Sequence, residues 1–237
     1  MIQKIPKIIH YCWFGGNPLP KEAKKCIASW RKYCPDFEIK EWNENNFDVN
    51  SCNYMQEAYK QKKWAFVSDY ARFKIIYEYG GIYMDTDVEL IKSIDSLLSK
   101  GPYMGCEGLG QCAPGLGIAA PAGLAIYREI LDHYELIHFD LGYQQPVTVV
   151  DHVSSILAKH DWNGSKEIEE IEGVFIYPPS YLCPMNYRTG RLNITPETYS
   201  IHWYSASWQS KYSHSKTKIS HILGDKTVAR ISKIIKK

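Results

Sequence analysis

The chain of 237 residues lacks several features that would settle its class at a glance. It has no Gly-x-Gly-x-x-Gly and no P-loop, so dinucleotide and P-loop phosphate sites lose their main sequence support. No stretch approaches the ~18–20 apolar residues of a membrane-spanning helix. With lysines interrupting the apolar residues of 1–9, no secretory signal is expected there. Twenty-eight basic side chains stand against 26 acidic ones, a balance without the basic excess of a nucleic-acid binder. The seven cysteines are scattered, with neither metal-ligand spacing nor the density of a small secreted domain, and are expected as reduced thiols of a cytoplasmic protein. No internal repeat and no clear inter-domain linker are visible.

What is abundant is aromatic residues with a polar edge. There are 18 tyrosines and seven tryptophans, which suit stacking on sugars or bases as well as ordinary half-buried packing.

The most informative stretch is Gly80-Gly81-Ile82-Tyr83-Met84-Asp85-Thr86-Asp87. A helical pattern over 65–79, read as amphipathic from Phe66, Tyr70, Phe73 and Tyr77, runs into two glycines that can end it. The apolar run 82–84 suits a buried strand, and Asp85 and Asp87 follow where it would reach a sheet edge. Ligand crevices of open α/β sheets lie outside the carboxyl ends of the strands. Two hard carboxylates there suit a divalent cation that also holds phosphates. The competing readings are carboxylates bonding turn backbone and a calcium loop. The latter lacks its sixth-position glycine, which is Leu90 here. On the preceding helix, Asp69 and Arg72 are spaced to meet, either as a surface ion pair or as groups facing a ligand hydroxyl and phosphate.

The rest of the chain reads as alternating elements. A first strand covers 5–14, a helix 20–33 and a second strand 37–42, the usual opening of a nucleotide-binding α/β unit. A loop over 43–53, a helix near 54–62, a short helix at 94–98 and a strand at 102–106 follow. Residues 107–123, rich in Gly and Pro, read as a loop. Helices are expected at 122–136 and up to Leu157, and a strand at 174–177. Asp151 is either an acidic group for catalysis or part of a helix cap. His202 stands in the crowded run 200–208 with Ser207 and Trp208. The basic end 228–237 is open to three readings: a membrane-surface helix, a solvated tail or a helix packed on its own domain.

Three blocks together resemble the DXD-containing sugar transferases of glycosyltransferase family 32, the type found in capsular polysaccharide synthesis and distantly similar to clostridial glucosylating toxins. They are Ile5-Pro6-Lys7-Ile8-Ile9-His10-Tyr11-Cys12-Trp13-Phe14-Gly15, then Ser68-Asp69-Tyr70-Ala71-Arg72 with Gly80 to Asp87, and His202 with Ser207-Trp208. The resemblance implies a GT-A fold, an α/β domain with a mostly parallel central sheet flanked by helices. It would occupy residues 1–210, leaving 211–237 as a basic, membrane-associating or free segment. It implies a retaining, metal-dependent glycosyltransferase that moves a hexose or N-acetylhexosamine from a nucleoside-diphosphate sugar, UDP-sugar favoured, to a glycan or lipid-linked acceptor. Trp13 would stack on the base, Asp69 and Arg72 would hold sugar and phosphates, and Asp85 would touch ribose or sugar. Asp85, Asp87 and His202 would hold Mn²⁺ or Mg²⁺, and Ser207 and Trp208 would close over the diphosphate. Asp151 is the acidic residue open to a nucleophilic role. The other class kept open is a non-catalytic sugar- or nucleotide-binding module. The expected location is the cytoplasm or the inner face of the cell membrane.

Overall fold

The computed structural model describes residues 4–140, 147–187 and 189–204. Its strands are β1 (Ile8–Cys12), β2 (Glu38–Trp42), β3 (Gly81–Tyr83), β4 (Val88–Leu90), β5 (Tyr103–Gly108), β6 (Gln111–Cys112), β7 (Ile118–Ala120), β8 (Glu169–Ile171), β9 (Val174–Tyr177) and β10 (Ser200–His202). Its helices are α1 (Lys21–Tyr33), α2 (Asn53–Lys60), α3 (Trp64–Tyr79), α4 (Asp95–Leu98), α5 (Ala125–Leu136), α6 (Val149–Lys159) and α7 (Pro179–Leu182).

The main sheet has the order β2-β1-β3-β7-β5-β9-β8, with β6 attached to β5. Strands β2, β1 and β3 run parallel, β7 is antiparallel to both β3 and β5, and β9 runs parallel to β5. Strands β2, β1, β3, β5 and β9 therefore point one way, and their carboxyl ends share one edge of the sheet. β4 and β10 form a separate antiparallel pair beside that edge.

Period-two alternation feeds both faces of the sheet. Tyr83 packs into the layer of α2, α3, α5 and α6, while Ile82 and Met84 pack into the layer holding Trp30 of α1. Helix α3 is not the one-sided helix its aromatic stripe implies. Every residue from Phe66 to Phe73 is buried, as are Ile75 and Ile76, because α3 lies between the sheet, α2 and α5. Its end is set by Gly80, whose φ of 65° and ψ of −168° belong to a region open essentially to glycine alone. A Cβ on Gly80 would stand 2.9 Å from the Ala122 nitrogen.

The expected loop over 107–123 is ordered structure. It holds the end of β5, then β6, a 3₁₀ turn at Pro114–Leu116, and β7. Glycine there permits close backbone approach, as where Gly110 N donates to Gly164 O at 3.1 Å. Residues 88–90, directly after the acidic pair, pair with β10.

Candidate active site at the sheet edge

Asp85 and Asp87 follow β3 at the shared carboxyl edge. Asp85 N donates to Gly115 O at 2.8 Å, which ties the acidic turn to the segment before β7. Gly115 leaves room for the Asp85 side chain, since a Cβ there would run into the Asp85 carboxylate and displace it. Asp85 Oδ1 accepts from Tyr83 OH at 2.9 Å and from Arg72 Nη2 at 3.3 Å. Arg72 Nη1 lies 3.1 Å from Asp69 Oδ1, and the guanidinium sits 5.2 Å from the centre of the Tyr83 ring.

This pair is no surface ion pair, for the side chains of Arg72 and Asp69 are only 4 and 7 % exposed. One cation is shared between two carboxylates. Burial pushes the Asp69 carboxyl up to about 7, against the pull of Arg72 and with added repulsion from Asp85. The buried Arg72 Nε has no partner among the described residues. A buried, charged and incompletely bonded guanidinium beside a solvent-reaching carboxylate is an arrangement that an anionic, hydroxyl-rich ligand would complete.

Asp87 is held differently. The β4–β10 ladder sets His202 opposite Val88, and Trp203 N donates to Asp87 O at 3.0 Å. The ladder brings His202 Nε2 to 3.2 Å from Asp87 Oδ1. Burial opposes a charged imidazole, yet the Asp87 carboxylate outweighs it and holds the His202 pKa well above its ordinary value. Tyr204 takes a left-handed φ of 49°, which lays its ring 4.2 Å from the imidazole and its hydroxyl 2.9 Å from Cys183 Sγ.

The expected metal set of Asp85, Asp87 and His202 is thus divided. Asp87 and His202 are adjacent and offer the oxygen and nitrogen that a divalent cation accepts, and a cation would take the place of the His202 proton. Asp85 is engaged by Arg72 and Tyr83. Among the described residues no three His, Cys, Asp or Glu side chains converge on one point. Two protein donors still fit a Mg²⁺-like ion, which characteristically keeps substrate phosphates and water in its remaining positions.

Trp13 directly follows β1 at the same edge. It is half-buried, and its Nε1 donates to Asn17 O at 2.5 Å, leaving part of the ring accessible. Asp151 is placed as a cap. Its Oδ2 accepts from Thr148 N at 2.9 Å and from Thr148 OH at 2.7 Å, closing a capping box at the start of α6. The capping reading of Asp151 is the one its hydrogen bonds in the described structure display. Ser207, Trp208 and the segment 211–237 lie outside the described residues.

Sequence reasoning missed Tyr83 as the second donor to Asp85, Gly115 as its cradle, Tyr204 beside His202, and Glu107. Tyr83, inside the run 80–87, and Tyr204, inside the run 200–208, carried a local signal. Gly115 and Glu107 reach the site through the turn before β7 and through β5.

Residues 20–103 match the family described as "glycosyltransferase sugar-binding region containing DXD motif". Among curated proteins, inositol phosphoceramide mannosyltransferase 1 of Schizosaccharomyces pombe is 32% identical over 114 residues, covering 44% of this chain and 34% of that protein. An uncharacterized glycosyltransferase of Acanthamoeba polyphaga mimivirus is 31% identical over 106 residues, covering 41% of each. Inositol phosphoceramide mannosyltransferase 3 of S. pombe is 25% identical over 176 residues, covering 71% of this chain and 48% of that protein. The chain therefore spans between a third and a half of the length of these relatives. Among solved structures, the PaToxG glycosyltransferase superposes with a TM-score of 0.51 at 17% identity, covering 66% of this chain and 69% of that one. The shared fold agrees with the GT-A expectation, and residues 20–103, which contain Asp85 and Asp87, are similar to the sugar-binding region of DXD-containing glycosyltransferases.

Proposed function

We propose that the chain transfers a hexose or N-acetylhexosamine from a nucleoside-diphosphate sugar, with a divalent cation and retention of configuration, to a glycan or lipid-linked acceptor. The observation that carries this reading is the adjacency of Asp87 and His202, 3.2 Å apart, at the carboxyl edge of β3 beside the Arg72–Asp85 pair. Asp87 and His202 would hold Mn²⁺ or Mg²⁺. When bound, the ion neutralises the charge that develops on a departing diphosphate. Arg72 and Asp69 orient the sugar and phosphate oxygens. Asp85, fixed by Tyr83 and Gly115, accepts from ribose or sugar hydroxyls. Trp13 offers its ring to the base, and Ser207 and Trp208 are assigned to closure over the diphosphate.

Two of the relatives are named for mannose transfer to inositol phosphoceramide, which supports a hexose donor and a lipid-borne acceptor. A UDP-sugar donor, a role in capsular or surface polysaccharide assembly, and residence at the inner face of the cell membrane through 228–237 belong to the same reading. They rest on the family resemblance and on the basic composition of that segment.

The test is incubation with UDP- and GDP-hexoses, with and without Mn²⁺, reading release of nucleoside diphosphate. Metal-dependent release is expected. Asp87→Asn should lower it by two or more orders of magnitude at subsaturating Mn²⁺. Nucleotide binding without any turnover would instead identify a binding module.

A further inference from the structure

The described site leaves one acidic side chain at the sheet edge without a task. Glu107 lies near the end of β5, which runs in the same direction as β3 because β7 is antiparallel to both. Its side chain therefore emerges at the edge that carries Asp85 and Asp87. The β5–β6 register shifts between Cys106 and Gly108, so Glu107 is the extra residue of a bulge, a device that re-aims a side chain. The carboxylate is half-buried and makes no hydrogen bond or ion pair with any described residue. It nonetheless lies in the field of His202 and of Asp151, and it acts on Tyr204. Burial raises its pKa, with His202 pulling it down and Asp151 pushing it up.

Strand order gives the direction in which Glu107 looks. From β1 the sheet proceeds through β3 and β7 to β5. Trp13 stands at β1 and the acidic pair at β3, so Glu107 lies beyond the diphosphate position, on the side away from the base. A half-buried carboxylate at this edge, with no hydrogen bond to a described residue, has acceptor sites to spare, and a hexose ring presents hydroxyl donors of that kind.

Resting on the glycosyltransferase reading above, we propose that Glu107 is a binding residue for the transferred sugar ring, accepting hydrogen bonds from its hydroxyls. It does not contact the nucleoside diphosphate. Its neighbour Asp151 serves to cap α6.

The experiment separates the sugar from the nucleotide. The full chain is titrated calorimetrically, in MnCl₂, with UDP, GDP, UDP-glucose, UDP-N-acetylglucosamine and GDP-mannose, as wild type, Glu107→Gln and Glu107→Ala. The expected result is nucleoside diphosphate affinity within about twofold of wild type. Affinity for the sugar nucleotide that binds best should fall at least about tenfold, as for lost charge-assisted hydrogen bonds. Melting temperature should be unchanged or higher, because the carboxylate carries a burial cost and makes no hydrogen bond to a described residue. Equal affinities for wild type and both variants would overturn the inference. So would an equal loss for nucleotide and sugar nucleotide, or a large fall in melting temperature. If the wild-type chain binds none of these ligands, the glycosyltransferase reading itself fails, and this inference fails with it.

Discussion

His10 Nε2 lies 3.0 Å from the carbonyl oxygen of Gly80, a bond from β1 to the turn that launches β3, 70 residues along the chain. On its other side Trp42 Nε1 donates to His10 Nδ1 at 3.0 Å, so Nδ1 is the acceptor and Nε2 carries the proton donated to Gly80. The ring is neutral and buried, and it abuts Gly81, whose added Cβ would meet Nε2 at 2.9 Å. One imidazole thereby joins three parallel strands under the acidic turn.

This arrangement predicts a pH effect. Burial lowers the His10 pKa from 6.5 to about 4, against the Gly80 bond and with help from Lys40. Between those values the unfolded chain binds the extra proton, so the His10 contribution to stability grows as pH rises from about 4 to 6.5 and is lost on acidification. The full difference is worth about 3 kcal/mol. Asp69, with its carboxyl pushed up to about 7, gives a slope of opposite sign. The comparison must therefore be between wild type and His10→Gln, whose amide can keep both bonds. In urea denaturation, wild type should lose stability relative to His10→Gln as pH falls across this window. A difference independent of pH would mean that folding does not lower the His10 pKa.

The Arg72 pair predicts a different dependence. Arg72→Met leaves Asp69 enclosed without its cation, a change that typically costs about 3–5 kcal/mol. Because the Asp69 carboxyl can protonate, the loss should be larger at pH 8 than at pH 5. Asp69→Asn in the same chain should restore part of it. A loss below about 1 kcal/mol at pH 8 would place the pair among surface ion pairs.

Trp13 predicts a nucleotide effect. If its ring carries the base, Trp13→Ala should weaken binding of UDP or GDP by the ~1–3 kcal/mol typical of base–aromatic stacking, while Trp13→Phe keeps most of it. Calorimetric titration measures both. Unchanged nucleotide affinity with a lowered melting temperature would make Trp13 a packing residue.

The sequence by itself determined the half of the molecule from β1 to β3, because the signals there are local. Gly80 and Gly81 announce a turn that other residues resist. Ile82 to Met84 have the composition of a buried strand, and Asp69 and Arg72 meet through helical spacing alone. The strand–helix–strand opening and the acidic pair were legible for the same reason.

Tertiary structure decided the rest, since it depends on which distant segments meet. Helix α3 is buried on nearly all sides because of what packs around it, a fact its aromatic stripe did not carry. The Gly- and Pro-rich run 107–123 became strand and turn because backbone pairing with β3 and β5, not side-chain pattern, holds it. Pairing of β10 with β4 chose His202 as the partner of Asp87, and the fold of β5 brought Glu107 to the same edge. Asp151 could serve as acid or cap, and its hydrogen bonds with Thr148 made it a cap. Local geometry is encoded within a few residues, whereas a site assembled from four strands exists only once the sheet has closed.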